Sequence, residues 1–268
     1  MTDGFTLGPA LLFCPADRPD RYAKALDRAD AVILDLEDAV APENRPAARE
    51  AIAAAGLDPD RVIVRVNELG SPDFDDDLAV LAATAFRLIM VPKADAGLIG
   101  AVPSGFRVVA LCESAAGVVA APALAASDGV VALMWGAEDL VASLGGTSSR
   151  HADGTYRDVA RTARANVLLA AGAAGIPAID TVHLDIDDLD GLRAEAEDAA
   201  ASGFAATACI HPSHAAVIRD AYRPTPGQIE HARRVLDAAA AHDGVFRFEG
   251  AMVDGPVLRH AESVLRRA

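Results

Sequence analysis

The sequence predicts an α/β protein, a (β/α)8 TIM barrel followed by a C-terminal helical extension acting as a lid. About eight short apolar segments alternate with stretches of helical length. The chain, at 268 residues, suffices for one large, well-buried core. Hydrophobic residues make up 52% of it but aromatic residues only 4%. An Ala/Val/Leu core of this kind suits helices packed closely on parallel strands rather than a β-sandwich.

In chain order, the apolar segments expected as strands are Ala10 to Pro15, Ala31 to Leu36, Arg61 to Val66, Arg87 to Pro92, Arg107 to Cys112, Val130 to Trp135, Ala178 to His183 and Ala205 to Ile210. Most are continuous apolar runs, the pattern of strands buried on both faces. Helix-like stretches fall between them, including Arg21 to Asp27, Pro46 to Ala55, Asp75 to Ala83, Ala115 to Ala126, Val159 to Ala174 and Leu189 to Ala201. A doubly wound open sheet is the rival arrangement. Against it, no strand is followed by GxGxxG or GxxxxGK[ST], so neither phosphate cradle is present.

Residues 1–222 are assigned to the barrel and 223–268 to the extension. Pro224-Thr-Pro226 opens a helical run from Gln228 to Ala241, and Pro256 to Arg267 is amphipathic, with Val257, Leu258, Ala261, Val264 and Leu265 along one side. Such a tail could close over the barrel mouth or pack on a neighbouring subunit.

The formal charge of -15 excludes general affinity for nucleic acid or an anionic membrane, both of which demand a basic surface. Cys14, Cys112 and Cys209 sit in apolar runs without CxxC spacing, the pattern of buried thiols. No run is long enough to span a bilayer and no targeting segment precedes the first strand, so a cytoplasmic protein is expected.

Functional groups of such a barrel gather at the C-terminal ends of its strands. AVILDLEDAV, VVALCESAAG and VVALMWGAEDL share one form: an apolar strand, then acid, then small residues leading to a helix. The strand ends together collect Asp17, Arg18, Asp35, Glu37, Asp38, Arg65, Asn67, Glu68, Lys93, Glu113, Glu138, Asp139, His183, Asp185, Asp187 and His211. Carboxylates gathered at one mouth repel unless a cation sits between them, and oxygen donors favour Mg2+. Glu113 and Asp139, from adjacent strands, are the expected metal pair, the alternative being a salt-bridge network with Arg65 and Lys93. Arg65 can hold a carbonyl oxygen and stabilise an enolate; its other expected role is an ion pair with Glu37 or Asp38. Lys93 is expected as an ammonium ion paired to a carboxylate, with Schiff-base chemistry as the rival. Arg18, Arg21 and Lys24 form a local basic cluster, either a phosphate contact or a solvated helix face.

LLFCPADRPDRYAKA, VILDLEDAV, VRVN, VPKA, LCESAAGV, WGAEDL, GGTSSR, CIHPS and EGAMVDGPVL follow one another across nearly the whole chain. In that order they resemble the citrate lyase β-subunit-like proteins of the HpcH/HpaI aldolase/citrate lyase superfamily, and most of all its stand-alone actinobacterial CitE-like acyl-CoA lyases. The resemblance implies a trimeric barrel that uses Mg2+ to cleave or form a carbon-carbon bond in a 3-hydroxyacyl-CoA thioester, with an acyl-CoA and a small keto acid as partners. It implies Glu113 and Asp139 as metal ligands, Arg65 as the residue that stabilises the enolate, and Glu37 and Asp38 as acids supporting metal-bound water and Arg65. It places the keto acid's carboxylate at the backbone amides of Ala137, Glu138 and Leu140, and coenzyme A phosphates at Arg18, Arg21 and Lys24. Asp254, in MVDGP, matches a general acid/base delivered from a neighbouring subunit. The same family admits two other readings, a citrate lyase β subunit acting on a carrier-bound citryl group and a non-catalytic acyl-CoA binder.

Overall fold

The computed structural model describes residues 7–242 and 244–268, which divide into two compact units, one ending at Ile218 and the other spanning Arg219–Ala268. The first unit is a closed barrel of eight parallel strands in sequential order: β1 (Ala10–Pro15), β2 (Ala31–Asp35), β3 (Val62–Arg65), β4 (Leu88–Val91), β5 (Arg107–Cys112), β6 (Val130–Trp135), β7 (Ala178–Asp180) and β8 (Ala206–Cys209). β8 returns to pair with β1, which removes any free sheet edge. The open-sheet alternative is therefore excluded.

Inside the barrel, Leu11, Ile33, Ile63, Met90, Val109, Leu111, Met134 and Ile179 pack together and are at most 3% exposed. Small residues of β8, Ala206 and Ala208, complete this core. Period-2 alternation sends the other half of each strand outward, against helices.

Those helices are α1 (Tyr22–Arg28), α2 (Arg45–Ala53), α3 (Pro72–Ala82), α4 (Ala115–Ala125), α5 (Ala137–Ser143), α6 (Asp158–Ala174), α7 (Leu189–Ser202) and α8 (Pro212–Tyr222). The fourth repeat lacks an α-helix: only a 3-10 turn, Ala96–Leu98, joins β4 to β5. Ser71, Ser114 and Asp188 cap α3, α4 and α7 by accepting a first-turn amide. Within α4, a Cβ on Gly117 would lie 2.3 Å from the Ala94 carbonyl oxygen. Glycine there lets the helix approach the segment that follows β4.

The second unit contains α9 (Pro226–Ala239), a hairpin of β9 (Phe246–Phe248) with β10 (Ala251–Val253), and α10 (Gly255–Arg266). Thr225 and Gln228 close a capping box at the start of α9. Val235, Ala232, Val253 and Ala261 form the small core of this unit, with Val257, Leu258, Val264 and Leu265 packed against it. The hairpin was not anticipated, because two three-residue strands carry too little alternation to read.

Candidate active site

The ends of β2 to β6 bring together one arginine, one lysine and several acids. Asp35 and Arg65 are register partners at the ends of β2 and β3. The guanidinium forks onto Asp35, with Nε to Oδ1 and NH2 to Oδ2 both 2.6 Å. Asp35 also accepts the backbone amides of Glu37 and Ala39, so its oxygens are fully engaged. Burial works against the charge on Arg65, yet the hydrogen bonds it donates to Asp35, with the charges of Asp35 and Glu37, more than offset it and hold the guanidinium above its usual range.

The expected ion pair of Arg65 with Glu37 is present, and Asp35 joins it as the bidentate partner. Glu37 is second, with Oε2 2.9 Å from NH1, while Asp38 is exposed and stands 3.9 Å away. Asp35 was readable as a strand-end acid, but only strand register shows that it faces Arg65.

Lys93 follows β4 with a φ of 48°, the left-handed region that non-glycine residues seldom occupy. Such a conformation costs about 1–3 kcal/mol and persists only where the surroundings enforce it. Its backbone amide donates to Glu113 Oε1 at 3.0 Å, and its ammonium group donates to Glu37 Oε1 at 2.8 Å. Burial opposes the lysine charge, and Glu37 outweighs it, so the ammonium is held above its ordinary pKa. A protonated, ion-paired lysine is a poor nucleophile.

Glu113, 4% exposed, follows β5. Burial, and then the neighbouring charge of Asp139, push its carboxyl up to about 8; Glu37 acts in the same direction and Arg65 against it. Glu37 is likewise raised, chiefly by burial. Gly136 explains how Glu113 is accommodated: a Cβ there would meet Glu113 Cβ at 2.8 Å and Oε2 at 2.9 Å. Gly136 is also the N-cap of α5 and gives its first amides no side-chain acceptor. Ala137 and Leu140 are buried in that turn, Asp139 is half-buried, and exposed Glu138 accepts a hydrogen bond from Ser149 at 2.5 Å. Among the described residues no group of three or more His, Cys, Asp or Glu side chains could hold a metal ion. Glu113 and Asp139 are two carboxylates linked electrostatically.

Other expected residues lie apart from this cluster. Arg18, Arg21 and Lys24 are exposed beyond the end of β1, with Arg18 Nε 3.2 Å from Asp20. Asp254 belongs to the second unit, where it is half-buried and caps α10 through the amide of Val257. Asn67 is buried and tied to Asp77, which also takes Arg49. A separate cavity of about 1010 Å³ lies on the β7 side, bounded by Arg150, Tyr156, Arg164, His183 and Glu195. Of the expected binding residues it shares only Glu138. The three cysteines are buried, and burial raises Cys14 and Cys112 to about 11 and about 12, values that suit inert thiols.

A closed parallel barrel with buried acids and a fixed arginine at its strand C-termini is an enzyme scaffold of the TIM-barrel class. The family model for HpcH/HpaI aldolase/citrate lyase matches residues 10–98 and 97–212. The chain belongs to that family and is a lyase. It is 56% identical over 263 residues to a citrate lyase subunit beta-like protein of Mycobacterium tuberculosis, covering 97% of this chain and 96% of the relative. A crystal structure of CitE from that organism, in complex with magnesium, acetoacetate and coenzyme A, superposes with a TM-score of 0.93 at 56% identity, covering 98% of this chain and 99% of the other. A mitochondrial citramalyl-CoA lyase of Rattus norvegicus is 29% identical over 97% of this chain and 85% of its own.

Proposed function

We propose that the protein is a Mg2+-dependent carbon-carbon lyase. Its substrate is a 3-hydroxyacyl-CoA thioester of the malyl-CoA, citramalyl-CoA or 3-hydroxy-3-methylglutaryl-CoA type, from which it releases a keto acid and an acyl-CoA. The observation that carries this reading is the buried Glu113 beside Asp139, within the electrostatic reach of Arg65. A buried carboxyl raised by burial and by a neighbouring carboxylate is a fitting place for a divalent cation, and Mg2+ usually takes one or two carboxylates. The missing side chain of Gly136 leaves room against Glu113 Oε2. The magnesium, acetoacetate and coenzyme A bound to the 56% identical CitE support the same choice.

Glu113 and Asp139 would hold the ion, which when bound supplies a Lewis acid toward the keto acid's oxygens. Cleavage releases the proton of the 3-hydroxyl to solvent water, from which Asp254 is reprotonated after each turnover, breaks the bond between C2 and C3, and moves its electrons toward the thioester carbonyl. Arg65, held by Asp35 and Glu37, presents a fixed guanidinium to the resulting enolate oxygen. Asp254, acting from a neighbouring subunit of a homotrimer, then gives a proton to the carbon that becomes the thioester methyl group. Ala137, Glu138 and Leu140 offer their amides to the keto acid's carboxylate, Arg18, Arg21 and Lys24 bind coenzyme A phosphates, and the second unit serves as the lid. Glu37 and Asp38 support metal-bound water. Among the described residues no helix is long and apolar enough to cross a membrane, which is compatible with work in the cytoplasm.

The test is a panel of the three thioesters, each incubated with Mg2+ and with EDTA while keto acid release is followed. Release that requires Mg2+, and that is abolished in Asp139→Asn, is the expected result. Silence across the panel in folded, Mg2+-loaded protein would overturn the coenzyme A assignment, and full activity of Asp139→Asn would remove the metal assignment.

A further inference from the structure

Lys93 is one of two non-glycine residues with positive φ among the described residues, and it touches two acids of the site through two different groups. Its amide direction is set by the preceding peptide plane, and it points at Glu113 Oε1. With that plane held, φ decides where the side chain departs. An ordinary negative φ would rotate Cβ about the N–Cα bond by roughly 100° or more. The side chain would then leave in a different direction from the one that meets Glu37. The left-handed conformation is what joins the two contacts in one residue.

We propose that Lys93 is a positioning residue for this reaction: its left-handed backbone holds Glu113 by the amide and Glu37 by the ammonium group at once, fixing the metal-holding acid relative to the second acid on Arg65. Glu37 Oε1 is taken by Lys93 Nζ and Oε2 faces Arg65 NH1, so the lysine turns one edge of that carboxylate and leaves the other for the guanidinium. Glu68, 3.7 Å from Nζ, and Asp38 are the other acids that act on the ammonium group, and both are exposed. The inference rests on the proposed Mg2+ site.

Mg2+ binding by calorimetry and steady-state kcat and KM, on whichever panel thioester the wild type cleaves fastest, test it in Lys93→Met, Lys93→Gly and Lys93→Arg. Lys93→Gly suits the positive φ and keeps the amide, so it carries the test should Lys93→Met fail to fold. In both neutral variants kcat is expected to fall about 100-fold with KM within about threefold. Mg2+ affinity is expected to stay equal or tighten, because the amide to Glu113 remains while a neighbouring cation is lost. Lys93→Arg should recover part of kcat. A general loss of structure would instead weaken Mg2+ binding and turnover together, and that result, or an unchanged kcat in Lys93→Gly, overturns the inference alone. Absence of Mg2+ binding in the wild type would remove the proposed site and this inference with it.

Discussion

Arg65 and Asp35 meet as register partners at the ends of two adjacent barrel strands, guanidinium and carboxylate joined by two 2.6 Å hydrogen bonds. Both side chains are buried, at 10% and 2% exposure. The pair fixes the plane and direction of the guanidinium before any substrate arrives, which is what transition-state stabilisation by a cation requires.

Asp35→Asn keeps the size of the side chain but removes its charge. Breaking a buried pair by neutralising one partner costs about 3–5 kcal/mol, because the other charge stays buried. We expect that loss in urea denaturation, together with a fall in turnover larger than any change in KM. A variant as stable and active as the wild type would show that Glu37 alone can seat Arg65.

Gly136→Ala tests the placement of Glu113 without touching an ionisable group. Its φ of -127° suits alanine, so the fold should survive, whereas the new Cβ would press on Glu113. Displacing a ligand-bearing carboxylate should weaken Mg2+ binding by roughly 10–100-fold, read by calorimetry. An unchanged affinity would mean that Glu113 does not hold the ion.

The His183 and Glu195 pair predicts a pH-dependent stability. His183 Nδ1 lies 2.9 Å from Glu195, Nε2 lies 3.4 Å from Asp188, and Arg150 and His214 are the neighbouring cationic and titratable groups. Glu195 raises the His183 pKa above 6.5, outweighing burial; the stabilisation is complete below 6.5 and is lost as pH rises through the raised value. For Glu195, burial is outweighed by His183 and Arg150, so its pKa is lowered; that contribution is present above 4.5 and lost as pH falls through the lowered value. His183→Gln should therefore lower the melting temperature by a few degrees at about pH 6 and by much less at about pH 9. Equal losses at both pH values would separate His183 from the titration.

Asp254 has a visible structural duty, capping α10, beside its proposed chemical one. Asp254→Ser keeps a capping oxygen and should stay within about 0.5 kcal/mol of the wild type, while Asp254→Ala should lose about 1 kcal/mol. Both should lose turnover by about 100-fold or more if the carboxyl moves a proton. Normal turnover in Asp254→Ser would confine the residue to capping. Recovery of activity on mixing Arg65→Ala and Asp254→Ala subunits would place its action in trans.

Much of the fold was legible because β1 and β6 are unbroken apolar runs and β5 is one after its leading Arg107, all three observed over the residues expected. Helices α4, α6 and α7 begin within one residue of the positions read from periodicity and agree as closely at their C-terminal ends. Short elements escaped: α5 spans seven residues and starts directly after the strand, leaving no room for a helical period to show. β7 ended three residues earlier than expected, because the apolar and β-branched run continues past Asp180 into the loop.

The sequence by itself determined the barrel and the positions of Arg65, Glu113 and Asp139 at or just beyond strand C-termini, because buried parallel strands demand apolar runs and their polar ends then stand out. Tertiary structure alone decided which acid meets which cation. Asp35, Glu37 and Asp38 lie within four positions of one another, yet only the first is bidentate on Arg65, the second is shared with Lys93, and the third faces solvent. That division follows from strand register and from one left-handed backbone at Lys93, quantities set by pairing between distant segments rather than by local composition.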